Sequence, residues 1–443
     1  MTKRLSLLYF LQFGVWGCYL TSLGQFLGAG GLGADIAWFY AAIGIVSIVT
    51  PPLFGRLADK SLSPHRLLGL VHISAAIFMI LFWVYASSRQ KLDFAPSYLL
   101  YVGFLAFYMP TMALSNTVSF RLLEGNGLNS VTTFPRIRIW GTVGFVAAMW
   151  FVNSAYWENG GLHFTLQESS DPAHLRFQYN AMQLLCSGLL GVVTGLYSFT
   201  LPRPTKESLP TDSVAKPKIG MLKAAKQMWA IPGMRLFLTF VVLSGVCLQI
   251  SNGFATPYIT QFLADPLYAD ALAAGNATLL FSLSQISEAL CILLVGLSLR
   301  HKGIRWVYAI GLLAWALRFL MLGLGNPGGG LWLLVGSMII YGIAFNFITI
   351  AGNLHIQQTA PPRMKGFAQG IMMLMSNGIG ATSGILVAGA VVNHWCHWEM
   401  VTVGNSGMRL FIGDWIIPWL LFAAYALVIA IGWLLAYKKA VSK

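Results

Sequence analysis

Residues Pro202–Ile231 read "PRPTKESLPTDSVAKPKIGMLKAAKQMWAI", the longest polar stretch inside the chain. Four prolines, a run of hydroxyl and charged residues and then a lysine-studded segment separate two long apolar regions. In that last segment Met221, Leu222, Ala225, Met228 and Trp229 recur at helical spacing against Lys218, Lys223 and Lys226. It is read either as an amphipathic helix lying on a membrane surface or as a disordered linker.

Taken whole, the 443 residues are 57% hydrophobic and 9% charged. Soluble globular domains carry about 25% charge, so the composition is that of an integral membrane protein. A hydrocarbon core takes about 20 helical residues to cross. Apolar runs of that length fall at 5–28, 33–54, 67–87, 94–120, 135–157 and 179–201 before the linker. Six more, at 233–263, 274–299, 305–324, 331–353, 366–392 and 409–437, follow it. They are too long and continuous for barrel strands, which alternate over about ten residues. The expected fold is therefore all-α, with twelve transmembrane helices in two six-helix bundles, 1–201 and 233–443, joined by a linker at 202–232.

The net charge of +14 is distributed topologically. Of the 28 Lys and Arg, 22 fall at the termini or in the loops after even-numbered helices. The positive-inside rule then places both termini in the cytoplasm. Basic charge arranged this way meets anionic lipid, and nucleic acid is not an expected partner. The N-terminal "MTKRLSLLYF" has no small-residue cleavage site after it and reads as a retained first helix. Four of the five cysteines lie in apolar runs, which argues against a disulfide framework. Cys396 lies between His394 and His397, but the spacing fits no common zinc pattern and no metal site is expected. An enzyme is not expected either, because no nucleophile–base set or P-loop lies along the chain. No repeated selectivity element suggests a channel.

Six helices on each side of a cytoplasmic linker resemble the major facilitator superfamily. After the second run comes "GRLADK", with His65 and Arg66 close behind. It is similar to the superfamily's loop 2–3 motif, which implies that Gly55, Asp59, Lys60 and Arg66 form a cytoplasmic gate. Transporters of this kind bind substrate near the midplane between the halves, so polar groups inside the runs are the candidates.

In run five, Arg138, Thr142 and Phe145 stand at i, i+4 and i+7 on one helix face. Gln249 and Asn252 stand three apart in run seven, as do Gln285 and Glu288 in run eight, and Phe345 precedes Asn346 in run ten. Single amides often serve only as interhelical glue, and a Phe is more often packing than platform. Glu288 is different: a carboxylate near a helix centre costs about 2.5–3.5 kcal/mol on insertion scales and marks function by default. Arg138 is the one strongly basic residue well inside a helix of the first half, and an Arg138–Glu288 contact would bridge the halves. Arg318, in run nine, is read as packing or snorkelling.

Six segments are similar, in order, to the nucleoside:H⁺ symporter family: "LQFGVWGCYLTSLG", "YMPTMALSNTVSF", "FPRIRIWGTVGF", "LQISN", "SQISE" and "AQGIMMLMSNGIG". The first two bring Gln12, Trp16, Tyr108, Thr111 and Asn116. The resemblance implies uptake of nucleosides such as uridine and adenosine across the bacterial inner membrane, driven by protons, by a monomer without an organic cofactor. It implies that Arg138, Thr142, Phe145, Gln249, Asn252, Gln285 and Glu288 serve nucleoside and proton. Amides suit base edges and ribose hydroxyls because they donate and accept at once. One position departs: the family usually has Asp where this chain has Asn346, which cannot exchange a proton near neutral pH. A nucleoside facilitator and a transporter of another hydroxylated solute, such as a sugar, are the competing readings.

Overall fold

The computed structural model describes residues 1–60, 64–167, 174–202, 221–361, 365–403 and 408–441. Among them, nine helical segments are long and apolar enough to cross a membrane, so the chain is a multi-pass membrane protein. Helices suit that solvent because every backbone group in lipid must be satisfied inside its own segment.

The helices of the first half are α1 (Thr2–Gly17), α2 (Leu23–Leu27), α3 (Ile36–Lys60), α4 (Pro64–Ser87), α5 (Phe94–Gly125), α6 (Ser130–Ser154) and α7 (Met182–Phe199). Then follow α8 (Met221–Ala230), α9 (Met234–Thr260), α10 (Leu272–Gly275), α11 (Ala277–Leu324), α12 (Leu331–Thr359), α13 (Lys365–Met373), α14 (Ala381–Trp395) and α15 (Ile416–Val441). The 48-residue α11 turns at Gly303, whose φ of 68° only glycine adopts without strain, so two helices meet there. In α8, Met228 is buried while Lys226 and Trp229 are exposed.

Two features depart from the continuous helices expected. The first run is broken at 18–22, between the end of α1 at Gly17 and the start of α2 at Leu23; beyond it the glycine-rich 28–32 segment winds as a π-turn in which Gly31 takes φ 89°. Two short hairpins also appear, β1 (Ala155–Glu158) with β2 (Gly161–Phe164), and β3 (Glu399–Val403) with β4 (Met408–Ile412). The turn between β1 and β2 is Asn159–Gly160, both at positive φ, which matches the right-handed twist of a two-residue hairpin.

The chain forms two compact units. The first holds residues 1–209, 252–282 and 397–413. Within it α1 and α6 cross at backbone contact. Gly17 lies against the backbone of Phe145 and Gly144 against that of Phe10, where any Cβ would collide. Small residues admit such approaches where lipid offers no hydrophobic drive between helices. The crossing fixes α6, and so Arg138, Thr142 and Phe145, against α1.

The second unit holds 210–251, 283–396 and 414–443. Trp433 of α15 packs on Tyr308 of α11, ring centres 4.8 Å apart, and the Tyr308 hydroxyl lies 2.7 Å from Ser244 Oγ of α9. Gly342 of α12 presses on the Ser287 backbone of α11, leaving no room for a Cβ. That approach sets Glu288 and Asn346 side by side.

Candidate functional site

In the first unit the guanidinium of Arg138 stacks on Phe13 of α1, 3.9 Å from the ring centre. Gly141, one turn on, leaves the space this stack occupies, since a Cβ there would stand 2.8 Å from the Phe13 ring and 2.9 Å from Arg138 Nη1. Thr142 is half-buried and Phe145 buried on the same helix. Beside them Tyr9 donates to Asn116 Oδ1 at 2.5 Å, Gln12 Nε2 to Thr111 Oγ1 at 3.3 Å, and Tyr108 to the Gln12 carbonyl at 2.7 Å. Asn252, on α9, is half-buried in this unit. Phe13 was not singled out from the sequence, although it adjoins Gln12 in "LQFGVW".

Cation–π contacts are worth about 0.5–2 kcal/mol, more when desolvated. Phe13→Leu keeps the bulk and removes the quadrupole. If Arg138 holds a ligand, the variant weakens binding of that ligand about 2- to 30-fold in an equilibrium binding assay.

In the second unit Asn346 is almost fully buried, and its Nδ2 donates to the backbone carbonyl of Glu288 at 2.7 Å. Its Oδ1 is buried without a hydrogen-bond partner, an acceptor whose burial is costly until something donates to it. Phe345 stacks on Tyr341, ring centres 5.6 Å apart and planes 17° apart. Glu288, Gln285 and Gln249 are half-buried. The Tyr341 hydroxyl meets the Gln285 side chain and lies in the field of Glu288. Gln285, Glu288, Phe345 and Asn346 thus gather where α11 and α12 touch.

Arg138 and Asn252 belong to one unit and Gln249 and Glu288 to the other. Of the gate motif, Arg66 is exposed, and the side chains of Gly55, Asp59 and Lys60 lie outside those described. Arg318 does not snorkel: it is fully buried within the second unit, bonded to Ser251 and Ser284.

The first unit carries a second polar cluster, at its end remote from the N-terminus. Arg176, fully buried, donates from Nη1 to Asn276 Oδ1 at 2.8 Å and from Nη2 to the Gly275 carbonyl at 2.9 Å. The same carbonyl accepts from Gln178 Nε2 at 2.9 Å and from the Tyr179 hydroxyl at 2.7 Å. Burial pushes that hydroxyl above its ordinary range, outweighing the lowering by Arg176, so it stays a donor. Asn153 Nδ2 reaches Asn276 Oδ1 at 2.6 Å, and Trp150 Nε1 reaches Ser282 Oγ at 2.8 Å. Thr260 Oγ1 donates to Gln25 Oε1 at 2.7 Å, and Thr256 donates to the Thr21 carbonyl. Segments from both halves of the chain are bonded together here.

Comparison with known proteins places this geometry. The family described as "Nucleoside H+ symporter" matches residues 1–442. The nucleoside permease NupG of Escherichia coli K12 is 33% identical over 438 residues, covering 98% of this chain and 95% of that protein. The xanthosine permease of the same organism is 33% identical over 442 residues, covering 99% and 96%. A crystal structure of the nucleoside transporter NupG superposes with a TM-score of 0.82 at 32% identity, covering 99% of each chain.

Proposed function

Because the chain belongs to the nucleoside H⁺ symporter family, and is a transporter rather than an enzyme, we propose that it accumulates nucleosides by coupling their entry to one proton carried on Glu288. The reading extends to twelve membrane-spanning helices in two bundles, 1–201 and 233–443, with both termini in the cytoplasm. It places the protein in a bacterial inner membrane as a monomer, using uridine and adenosine, with the proton as coupling ion and no organic cofactor.

The observation that carries the coupling assignment is the bond between Asn346 Nδ2 and the Glu288 carbonyl. A carboxylic acid at 346 could donate that bond only when protonated, whereas the amide donates it always. Position 346 therefore holds no titrating group, and Glu288 is left as the acid of this site. The unpartnered Asn346 Oδ1 is free to accept from a ribose hydroxyl. Phe345 and Phe145 supply rings for a base, and Gln249, Asn252, Gln285 and Thr142 supply donors and acceptors for its edges. In this cycle Glu288 takes up a proton on the outside and gives it up on the inside, while Arg138 helps hold the nucleoside. Opening inward discharges both.

Asn346 also favours a second reading, a nucleoside facilitator, since a site with one acid fewer carries less proton chemistry. Solute class and coupling are tested apart. In liposomes, uridine and adenosine compete for labelled uridine uptake while simple sugars do not, since sugars lack an aromatic base to stack. Competition by sugars at similar concentration contradicts the substrate assignment. Uptake that only equilibrates, with or without a proton gradient, makes the protein a facilitator.

A further inference from the structure

Arg318 takes no part in the reading above, yet it is the most heavily tethered charge in the second unit. Its Nε donates to Ser251 Oγ of α9 at 2.8 Å, and its Nη1 to Ser284 Oγ of α11 at 3.3 Å and to the Ser337 carbonyl of α12. The guanidinium carbon lies 4.7 Å from the centre of the Tyr341 ring. Burying a cation is costly, and helix packing in a membrane needs only small residues and close contact. A guanidinium at this place therefore calls for a reason beyond holding helices together.

The tethers supply the reason. Ser284 is one turn before Glu288 and adjoins Gln285, while Ser337 is one turn before Tyr341, which is one turn before Phe345. Ser251 is two residues after Gln249. The Tyr341 ring meets the guanidinium and stacks on Phe345, with Trp315 edge-on at 5.7 Å. Its hydroxyl bonds the Gln285 side chain, three residues before Glu288 on the same face of α11.

We propose that Arg318 is a positioning residue of the nucleoside site: it locks Tyr341 in place, and through Tyr341 sets Gln285, Glu288 and Phe345 for substrate and proton. This rests on the assignment of those three residues made above. Arg suits the task where Lys does not. Its planar fork bonds in three directions and offers a flat face to the ring, whereas an ammonium is a point charge on a flexible stem.

The test compares Arg318→Lys, Tyr341→Phe and the double variant in the full chain reconstituted in liposomes. Equilibrium binding of labelled uridine and its uncoupler-sensitive accumulation are read together, with thermal melting as the check on folding. Arg318→Lys weakens uridine binding at least tenfold, and the double variant is no weaker than the worse single one, because the arginine acts through the tyrosine. A merely structural arginine gives losses that multiply, or a lowered melting temperature with unchanged binding, and either result overturns the proposal. Should Arg318→Lys fail to fold, Ser251→Ala and Ser284→Ala each cut one tether. Each then weakens binding about threefold, and the loss vanishes in the Tyr341→Phe background. Gln285→Ala and Glu288→Gln separate the two levels of inference. If neither changes binding or accumulation, the site assignment and this proposal fall together. If they do and Arg318→Lys does not, the proposal alone falls.

Discussion

Glu288→Gln abolishes concentrative uridine uptake and leaves exchange of internal for external uridine running. The substitution is mild in structural terms. The Asn346 amide bonds the backbone carbonyl of residue 288, not its side chain, so the contact between α11 and α12 survives. Gln also retains a hydrogen-bonding head of nearly the same size as Glu. What disappears is the capacity to take up a proton on one side and release it on the other. An inward gradient of one pH unit sustains about a tenfold accumulation for one proton per nucleoside. In the variant the ratio of internal to external uridine falls to about one, whatever the gradient. Continued accumulation above that ratio would mean that another group carries the proton.

Arg176→Ala opens the end of the first unit that lies away from the N-terminus. The guanidinium is fully buried and bonds Asn276 Oδ1 and the Gly275 carbonyl, holding α10 and the start of α11 against the loop before α7. Hydrogen bonds from a charged donor are worth about 1.5–3 kcal/mol each. The acceptors keep other partners, Asn153 for Asn276 and both Gln178 and Tyr179 for Gly275. The net loss is therefore about 2 kcal/mol, or roughly a 30-fold rise in the opening equilibrium. Hydrogen–deuterium exchange of the amides over 272–282 reads that equilibrium directly, and exchange there speeds by a similar factor. Unchanged exchange over this segment would show that Arg176 does not hold α10 and the start of α11 in place.

Hydropathy pointed to long helices because lipid permits only helices or barrels, and nine segments among the described residues are long and apolar enough to span. It failed where the chain leaves the bilayer. The fifth run was read as helical to 157, whereas α6 stops at Ser154 and β1 begins at Ala155. "SAYW" is apolar enough to continue a helix, and only the Asn159–Gly160 pair announced the hairpin. The first run looked continuous because its glycines count as neutral in a hydropathy window, yet α1 ends at Gly17 and helix resumes only at Leu23.

The candidate site was legible as chemistry and not as connection. Glu288 stood out because a carboxylate in an apolar run has few innocent explanations. Its bond from Asn346 did not, since a backbone carbonyl acceptor leaves no trace in the residue types. Arg318 was visible as a charge, but its partners are serines 67 and 34 positions away, of a kind found in many membrane helices. Arg176 is illegible in the sequence, because nothing in "RFQYN" hints that its partner is Asn276. Phe13 looked like one more apolar residue until α1 and α6 crossed at Gly17 and Gly144 and brought it under Arg138.

The most direct test of the account is the uridine accumulation ratio of the unmodified protein in liposomes, measured against the size of an inward proton gradient at zero membrane potential. One proton on Glu288, with no second titrating group at Asn346, predicts that the ratio rises about tenfold per pH unit and collapses to one when an uncoupler is added. A ratio that stays at one across all gradients, with saturable uptake intact, would contradict proton coupling. A rise of about a hundredfold per pH unit would contradict Glu288 as the sole carrier.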